Sequence, residues 1–146
     1  RTFSKLFALA GLRIGYGISA ESTAQEVGSF ISVDSINFGA AVAARASLAD
    51  AGFRKLSIET TALSRAIAEK TLKELGVAYV PSQANFIFHR CKGKPGEYKD
   101  AMAKRNVIVG REFPPIVGWN RLTLGTPGEM KAWAKALKAV HKEGLV

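Results

Sequence analysis

Arg1-Thr2-Phe3-Ser4-Lys5-Leu6-Phe7-Ala8-Leu9-Ala10-Gly11-Leu12-Arg13-Ile14-Gly15-Tyr16-Gly17 is the stretch on which the reading of this chain turns. It sets two cations, Lys5 and Arg13, among two hydroxyls, Thr2 and Ser4, and one glycine, Gly11. A lysine beside a serine carries little information, since most such lysines are solvated. By spacing alone the run is equally a basic surface loop ahead of a strand. The order of all its parts is far more specific.

Ser-Lys, a short apolar run, Ala-Gly-Leu-Arg and then Gly-Tyr stand here in that order. This resembles the lysine segment of the fold-type I pyridoxal-phosphate enzymes, in the class I/II aminotransferase branch that includes the histidinol-phosphate aminotransferases. The resemblance implies that Lys5 holds pyridoxal 5'-phosphate as a Schiff base and is the catalytic lysine. It implies also that Ser4 and Arg13 bind the cofactor's phosphate, with Thr2 assisting. The residue types suit those tasks. A lysine amine holds an aldehyde cofactor until an incoming amine displaces it. A free lysine has a pKa of about 10.4, so fewer than about one in a thousand is neutral at pH 7. The site must therefore disfavour the ammonium, through burial and a second cation such as Arg13. A planar guanidinium grips a phosphate through two bonds, and hydroxyls fill the remaining acceptor positions.

The 146 residues are 47% hydrophobic, enough to bury one core. In the resembled family a large sheet domain precedes the lysine and supplies an aspartate for the pyridine nitrogen and an aromatic that stacks on the ring. The motif begins at residue 1, so the chain reads as the C-terminal portion of such an enzyme, inactive alone and partnered by a remaining N-terminal part. The formal charge is +9, but the 21 basic residues are spread along the chain and mixed with acids in the helical stretches. That pattern reads as ordinary surface with a few anion-binding arginines, with no nucleic acid as partner. Cys91 is the only cysteine and the histidines are two, His89 and His141. An intrachain disulfide is excluded, a cytoplasmic setting suits, and a Cys/His metal site has too few ligands. No apolar run approaches the length that spans a membrane.

Along the chain, Leu12 to Ile18 reads as a strand with Gly15 and Gly17 allowing close backbone approach. Ala20 to Ile31 reads as a helix weakened by Gly28. Asn37 is placed as the N-cap of a small-residue helix suited to burial between layers, and in the family this turn lies near the subunit interface. Phe53 to Leu75 reads as the clearest long helix, stopped at Gly76. Strands are expected at Val77 to Val80, Asn85 to His89 and Val107 to Val109, with His89 and Cys91 flanking a strand end. Pro81-Ser-Gln-Ala-Asn-Phe86 matches a family signature. There Asn85 satisfies backbone groups at the strand entrance or lines the substrate pocket.

Many family members carry an arginine directly after the third of these strands. Here Gly110 holds that position and Arg111 follows, which weakens an assignment to histidinol phosphate. Asn120-Arg-Leu-Thr-Leu-Gly-Thr-Pro-Gly-Glu-Met130 is the second strong match. Leu122 and Leu124 alternate with Arg121 and Thr123, which puts the latter pair on the opposite face. Thr126 and Glu129 are spaced as a capping box with Pro127 at the first helical position. Met130, Trp133, Leu137 and Val140 line one face of the closing helix as core. By resemblance Arg121 binds the substrate's α-carboxylate, with Arg111 and Asn85 as further substrate contacts.

The expected fold is therefore α/β. Residues 1–52 close the large domain's sheet, 53–75 form a connecting helix and 76–146 make an α+β small domain. The implied activity is transfer of an amino group between an amino acid and a 2-oxo acid, in a homodimer. A decarboxylase of the same fold and an aminotransferase-like effector domain of a transcription regulator remain alternatives.

Overall fold

The computed structural model describes residues 1–32, 34–111 and 113–146. The chain divides into two units, Arg1–Ile58 and Glu59–Val146.

In the first unit the opening residues fold back on Ile14–Tyr16. Phe3 N–H donates to the Ile14 carbonyl at 3.2 Å and Tyr16 N–H to the Arg1 carbonyl at 2.9 Å. Thr2 and Gly15 form an isolated antiparallel bridge, so the strand expected over Leu12 to Ile18 is reduced to one pairing. Gly15 is needed there, because a Cβ at that position would lie 2.6 Å from the Arg1 carbonyl oxygen. Phe3 is buried and packs on Phe7 and Tyr16, with ring centroids 5.0 and 5.9 Å away. Helices α1 (Glu21–Gly28) and α2 (Phe38–Ala49) follow. Asn37 caps α2 as its residue type predicts, its Oδ1 accepting from Ala40 N–H at 3.1 Å. Burial of α2 between layers does not hold within this chain. Only Ala40 and Ala44 of the helix are buried, while Phe38 and Val42 are exposed.

The long helix α3 (Ala51–Glu74) starts two residues earlier than the periodicity suggests, because Asp50 Oδ1 accepts from Phe53 N–H at 2.8 Å. The unit boundary falls within it.

The second unit is a three-stranded antiparallel sheet, β1 (Tyr79–Val80), β2 (Phe86–Arg90) and β3 (Trp119–Thr123), in the order β1-β2-β3. Helices α4 (Pro95–Ala103) and α5 (Pro127–Lys142) pack with it. Ile87 and Leu122 face each other in the β2–β3 register and enter one core with Leu72 of α3, Met102 of α4 and Leu137 of α5. Each fully buried aliphatic side chain of this size contributes about 1.5–3 kcal/mol. The alternation expected around Arg121 is observed: Leu122 is buried, Arg121 half-buried and Thr123 exposed. The predicted capping box closes both ways. Thr126 Oγ1 accepts from Glu129 N–H at 3.3 Å, and Thr126 N–H donates to Glu129 Oε2 at 2.6 Å. The Thr126 backbone and hydroxyl hydrogen bonds hold the Glu129 carboxyl below its ordinary range. Val107 to Val109 forms no strand. The residue after it is tied to β3 by a side chain instead, Asn120 Nδ2 donating to the Gly110 carbonyl at 2.8 Å.

His89 lies one residue inside the end of β2, close to where the sequence reading put it, and it is fully buried, which that reading did not foresee. Its Nδ1 lies 3.1 Å from the Arg90 carbonyl and its Nε2 3.3 Å from the Tyr98 hydroxyl. These contacts suit a neutral ring that donates from Nδ1 and accepts at Nε2. Burial pushes its pKa down to about 4, against the opposing effect of the Arg90 hydrogen bond. An unfolded histidine titrates near 6.5, so between that pH and about 4 the unfolded state binds the extra proton. Stability is therefore complete above pH 6.5 and declines as pH falls, by about 2–3 kcal/mol at pH 4.5. Urea unfolding of the whole protein across this range should show that decline relative to His89→Gln. Identical pH slopes in the two proteins would exclude it.

Candidate functional site

The candidate site residues named from the sequence fall into two groups, one in each unit.

In the first unit, Thr2, Ser4, Lys5 and Arg13 lie on the turn enclosed by the Thr2–Gly15 bridge. Leu9 N–H donates to the Phe3 carbonyl at 3.0 Å, and a single 3-10 turn, Ala10–Leu12, brings the chain back. Arg13 caps that turn in the left-handed region, at φ 52° and ψ 52°, and its Nη1 donates to the Ala10 carbonyl at 2.6 Å. Ala8 is also left-handed, at φ 56°. Two such non-glycine residues in one turn are uncommon, and each costs about 1–3 kcal/mol, a strain that clusters at ligand sites. Thr2 Oγ1 donates to Ser4 Oγ at 2.9 Å and accepts from Ser4 N–H at 3.1 Å, so the hydroxyl pair is already assembled.

Lys5 is exposed, and its amine makes no hydrogen bond or ion pair among the described residues. The burial expected of such a lysine is thus not supplied by the described residues. Residues 1–17 contain no aspartate or glutamate. An uncommitted amine, a guanidinium and paired hydroxyls without an acid form the donor set that a phosphorylated aldehyde requires. The residues present fit such a group.

In the second unit, Arg121 is paired across the ladder with Phe88. Its Cζ lies 4.6 Å from the Phe113 ring centroid and 5.5 Å from that of Phe86. Its Nε is buried without a hydrogen-bond partner, and no carboxylate neutralises it among the described residues. A half-buried guanidinium held against ring faces keeps its charge and its in-plane donors for an anion. Arg111 is exposed and approaches the same Phe113 ring, with Cζ 4.7 Å from the centroid. Beside this cluster Val80, Phe86, Phe88, Ile116 and Trp119 line an apolar groove of about 330 Å³.

The displaced arginine now has a physical reason. A Cβ at Gly110 would lie 2.7 Å from the Arg121 carbonyl oxygen, so a side chain there forces the two backbones apart. The next residue, Arg111, is free of that constraint and turns to Phe113.

Asn85 does not satisfy the strand entrance with its side chain, which makes no hydrogen bond among the described residues. Ser82 Oγ accepts from Ala84 N–H at 3.0 Å and Arg65 Nη2 donates to the Ala84 carbonyl at 2.9 Å, while Asn85 uses its carbonyl to accept from Leu124 N–H. Phe86 and Phe113 as neighbours of Arg121 escape the sequence reading. The Phe86-Ile-Phe88 alternation hints at the first, and nothing local indicates the second.

The family model for aminotransferase class I and II matches residues 1–137. Histidinol-phosphate aminotransferase 2 of Carboxydothermus hydrogenoformans is 33% identical over 141 residues, covering 96% of this chain and 39% of that protein. The crystal structure of histidinol-phosphate aminotransferase from Sinorhizobium meliloti in complex with pyridoxal-5'-phosphate superposes with a TM-score of 0.79 at 32% identity. It covers 98% of this chain and 40% of the other. L-threonine-O-3-phosphate decarboxylase from Porphyromonas gingivalis shares the fold, with a TM-score of 0.80 at 24% identity, covering 97% and 45% of the two chains. The chain thus spans about two-fifths of the length of the curated relative it matches.

Proposed function

Since the chain belongs to the class I and II aminotransferase family, we propose that the whole protein is a pyridoxal-phosphate-dependent aminotransferase resembling the histidinol-phosphate aminotransferases. It moves an amino group between an amino acid and a 2-oxo acid. One observation carries the reading: one acid-free turn, closed by the Thr2–Gly15 bridge, carries an uncommitted Lys5 amine, Arg13 and an assembled Thr2–Ser4 hydroxyl pair, within the matched region.

When bound, pyridoxal phosphate supplies an electron sink that weakens the bonds at the substrate's Cα. Lys5 holds the cofactor's aldehyde carbon at rest, and its freed amine takes the proton from Cα. Arg13 grips the phosphate, with the Ser4 and Thr2 hydroxyls filling further acceptor positions. Arg121 holds the substrate carboxylate, which fixes both charge and plane. Arg111 and Asn85 contact the rest of the substrate.

In this reading residues 1–52 complete a large cofactor-binding domain, 53–75 connect and 76–146 form the small domain. The uninterrupted α3 supports that arrangement. The whole protein is a cytoplasmic homodimer, and its N-terminal part carries the aspartate and the stacking aromatic. Among the described residues no helix is long and apolar enough to cross a membrane.

The fold likeness to a decarboxylase makes carbon dioxide the discriminating product. The whole protein, loaded with pyridoxal phosphate and given an amino donor with 2-oxoglutarate, should form glutamate and a new oxo acid in equal amounts. Carbon dioxide in place of the oxo acid would assign the decarboxylase reaction instead.

A further inference from the structure

Arg121 reaches from β3 on a long, rotamer-rich stem, and holding such a side chain in one plane has an entropic cost. Acids, the usual partners, are absent around it among the described residues; two phenyl rings flank it. Phe86 belongs to the neighbouring strand. Phe113 comes from the irregular chain before β3, and several contacts bring it back. The Asn120–Gly110 hydrogen bond and the close Gly110–Arg121 backbone approach tie that chain to the strand. Ile116 N–H then donates to the Phe113 carbonyl at 2.8 Å, and the Phe113 ring packs on Phe88, Arg121's cross-strand partner, with centroids 5.8 Å apart.

We propose that Phe113 is a positioning residue: with Phe86 it holds the Arg121 guanidinium in the orientation that forks a substrate carboxylate. This rests on the reading of Arg121 as the carboxylate anchor. The contact that carries this role is the one between the Phe113 ring and the Arg121 guanidinium, so the effect of Phe113 passes through Arg121. Arg111 shares the ring, but its exposure leaves it less constrained.

The test uses the whole protein with glutamate, phenylalanine and O-phosphoserine, which share the α-carboxylate and differ in side chain. Phe113→Leu should lower kcat/KM about tenfold for all three, chiefly through KM, while Phe113→Tyr, which keeps the ring, stays within about threefold. Cofactor affinity should not move. In an Arg121→Lys background Phe113→Leu should cost no more than about twofold further, because the two residues act as a unit. Phe113→Met serves as a second ring-removing variant should leucine disturb folding, which loss of cofactor affinity would report. Losses that differ among the three substrates would make Phe113 a wall of the side-chain pocket and overturn the proposal. So would a full tenfold loss persisting beside Arg121→Lys, or no loss in Phe113→Leu when Arg121→Lys is impaired. Arg121→Lys sparing all three substrates would instead overturn the anchor reading, and this proposal with it.

Discussion

Lys5→Ala should abolish reducible attachment of pyridoxal phosphate to the whole protein and cut amino transfer by about 10²–10⁴-fold, the usual contribution of a positioned proton-transfer group. Borohydride reduction of the unmodified protein, followed by peptide mapping, should find the pyridoxyl group on Lys5, and the variant should give no such peptide. A label on any other lysine would remove Lys5 from its proposed role. The expectation follows from the turn itself, in which Lys5 is uncommitted among the described residues while Arg13 and the hydroxyl pair are already ordered. Arg13→Ala is the informative contrast. It removes a charge-assisted contact worth about 1.5–3 kcal/mol, so the cofactor should bind roughly ten- to a hundredfold more weakly and still be reducible onto Lys5.

Arg121→Lys should lower kcat/KM by about 1–3 kcal/mol in transition-state terms for every carboxylate substrate, with cofactor binding nearly intact. Lysine keeps the charge but loses the planar fork that meets both carboxylate oxygens. It also presents no guanidinium face to Phe113 and Phe86, whose centroids lie 4.6 and 5.5 Å from the Arg121 Cζ. Arg111→Ala should behave differently, impairing some side chains and sparing others, because Arg111 is exposed at the far end of the same cluster. Kinetics across acidic, aromatic and phosphorylated substrates separate the two roles. Damage confined to one substrate in Arg121→Lys, or equal damage to all in Arg111→Ala, would refute the assignment.

Features whose causes lie within a few residues are legible in the sequence. Thr126 and Glu129 cap α5 reciprocally because residues three apart at a helix start face each other's backbone donors. Asn37 caps α2 for the same local reason. The α3 periodicity predicts one long helix, and the Leu122 alternation assigns Arg121 its face. The lysine segment is legible as an ordered set of residue types, so the order of those residues suffices to recognise the family. Where a strand depends on a distant partner, local pattern misleads. Leu12 to Ile18 has strand composition but finds a single backbone bridge in this chain, and Val107 to Val109 joins no ladder, the Asn120 side chain instead holding the next residue, Gly110.

The sequence by itself therefore determined the α/β class, the helix caps, the family and the cations that could hold phosphate and carboxylate. Each of these is written in residue type and short spacing. Only the tertiary structure decided that Gly110 must be glycine, that His89 is buried in the core, and that Phe113 meets Arg121. These depend on backbones and rings brought together from distant or irregular parts of the chain. Contact at that range is set by packing and strand register, which no local pattern of residues encodes.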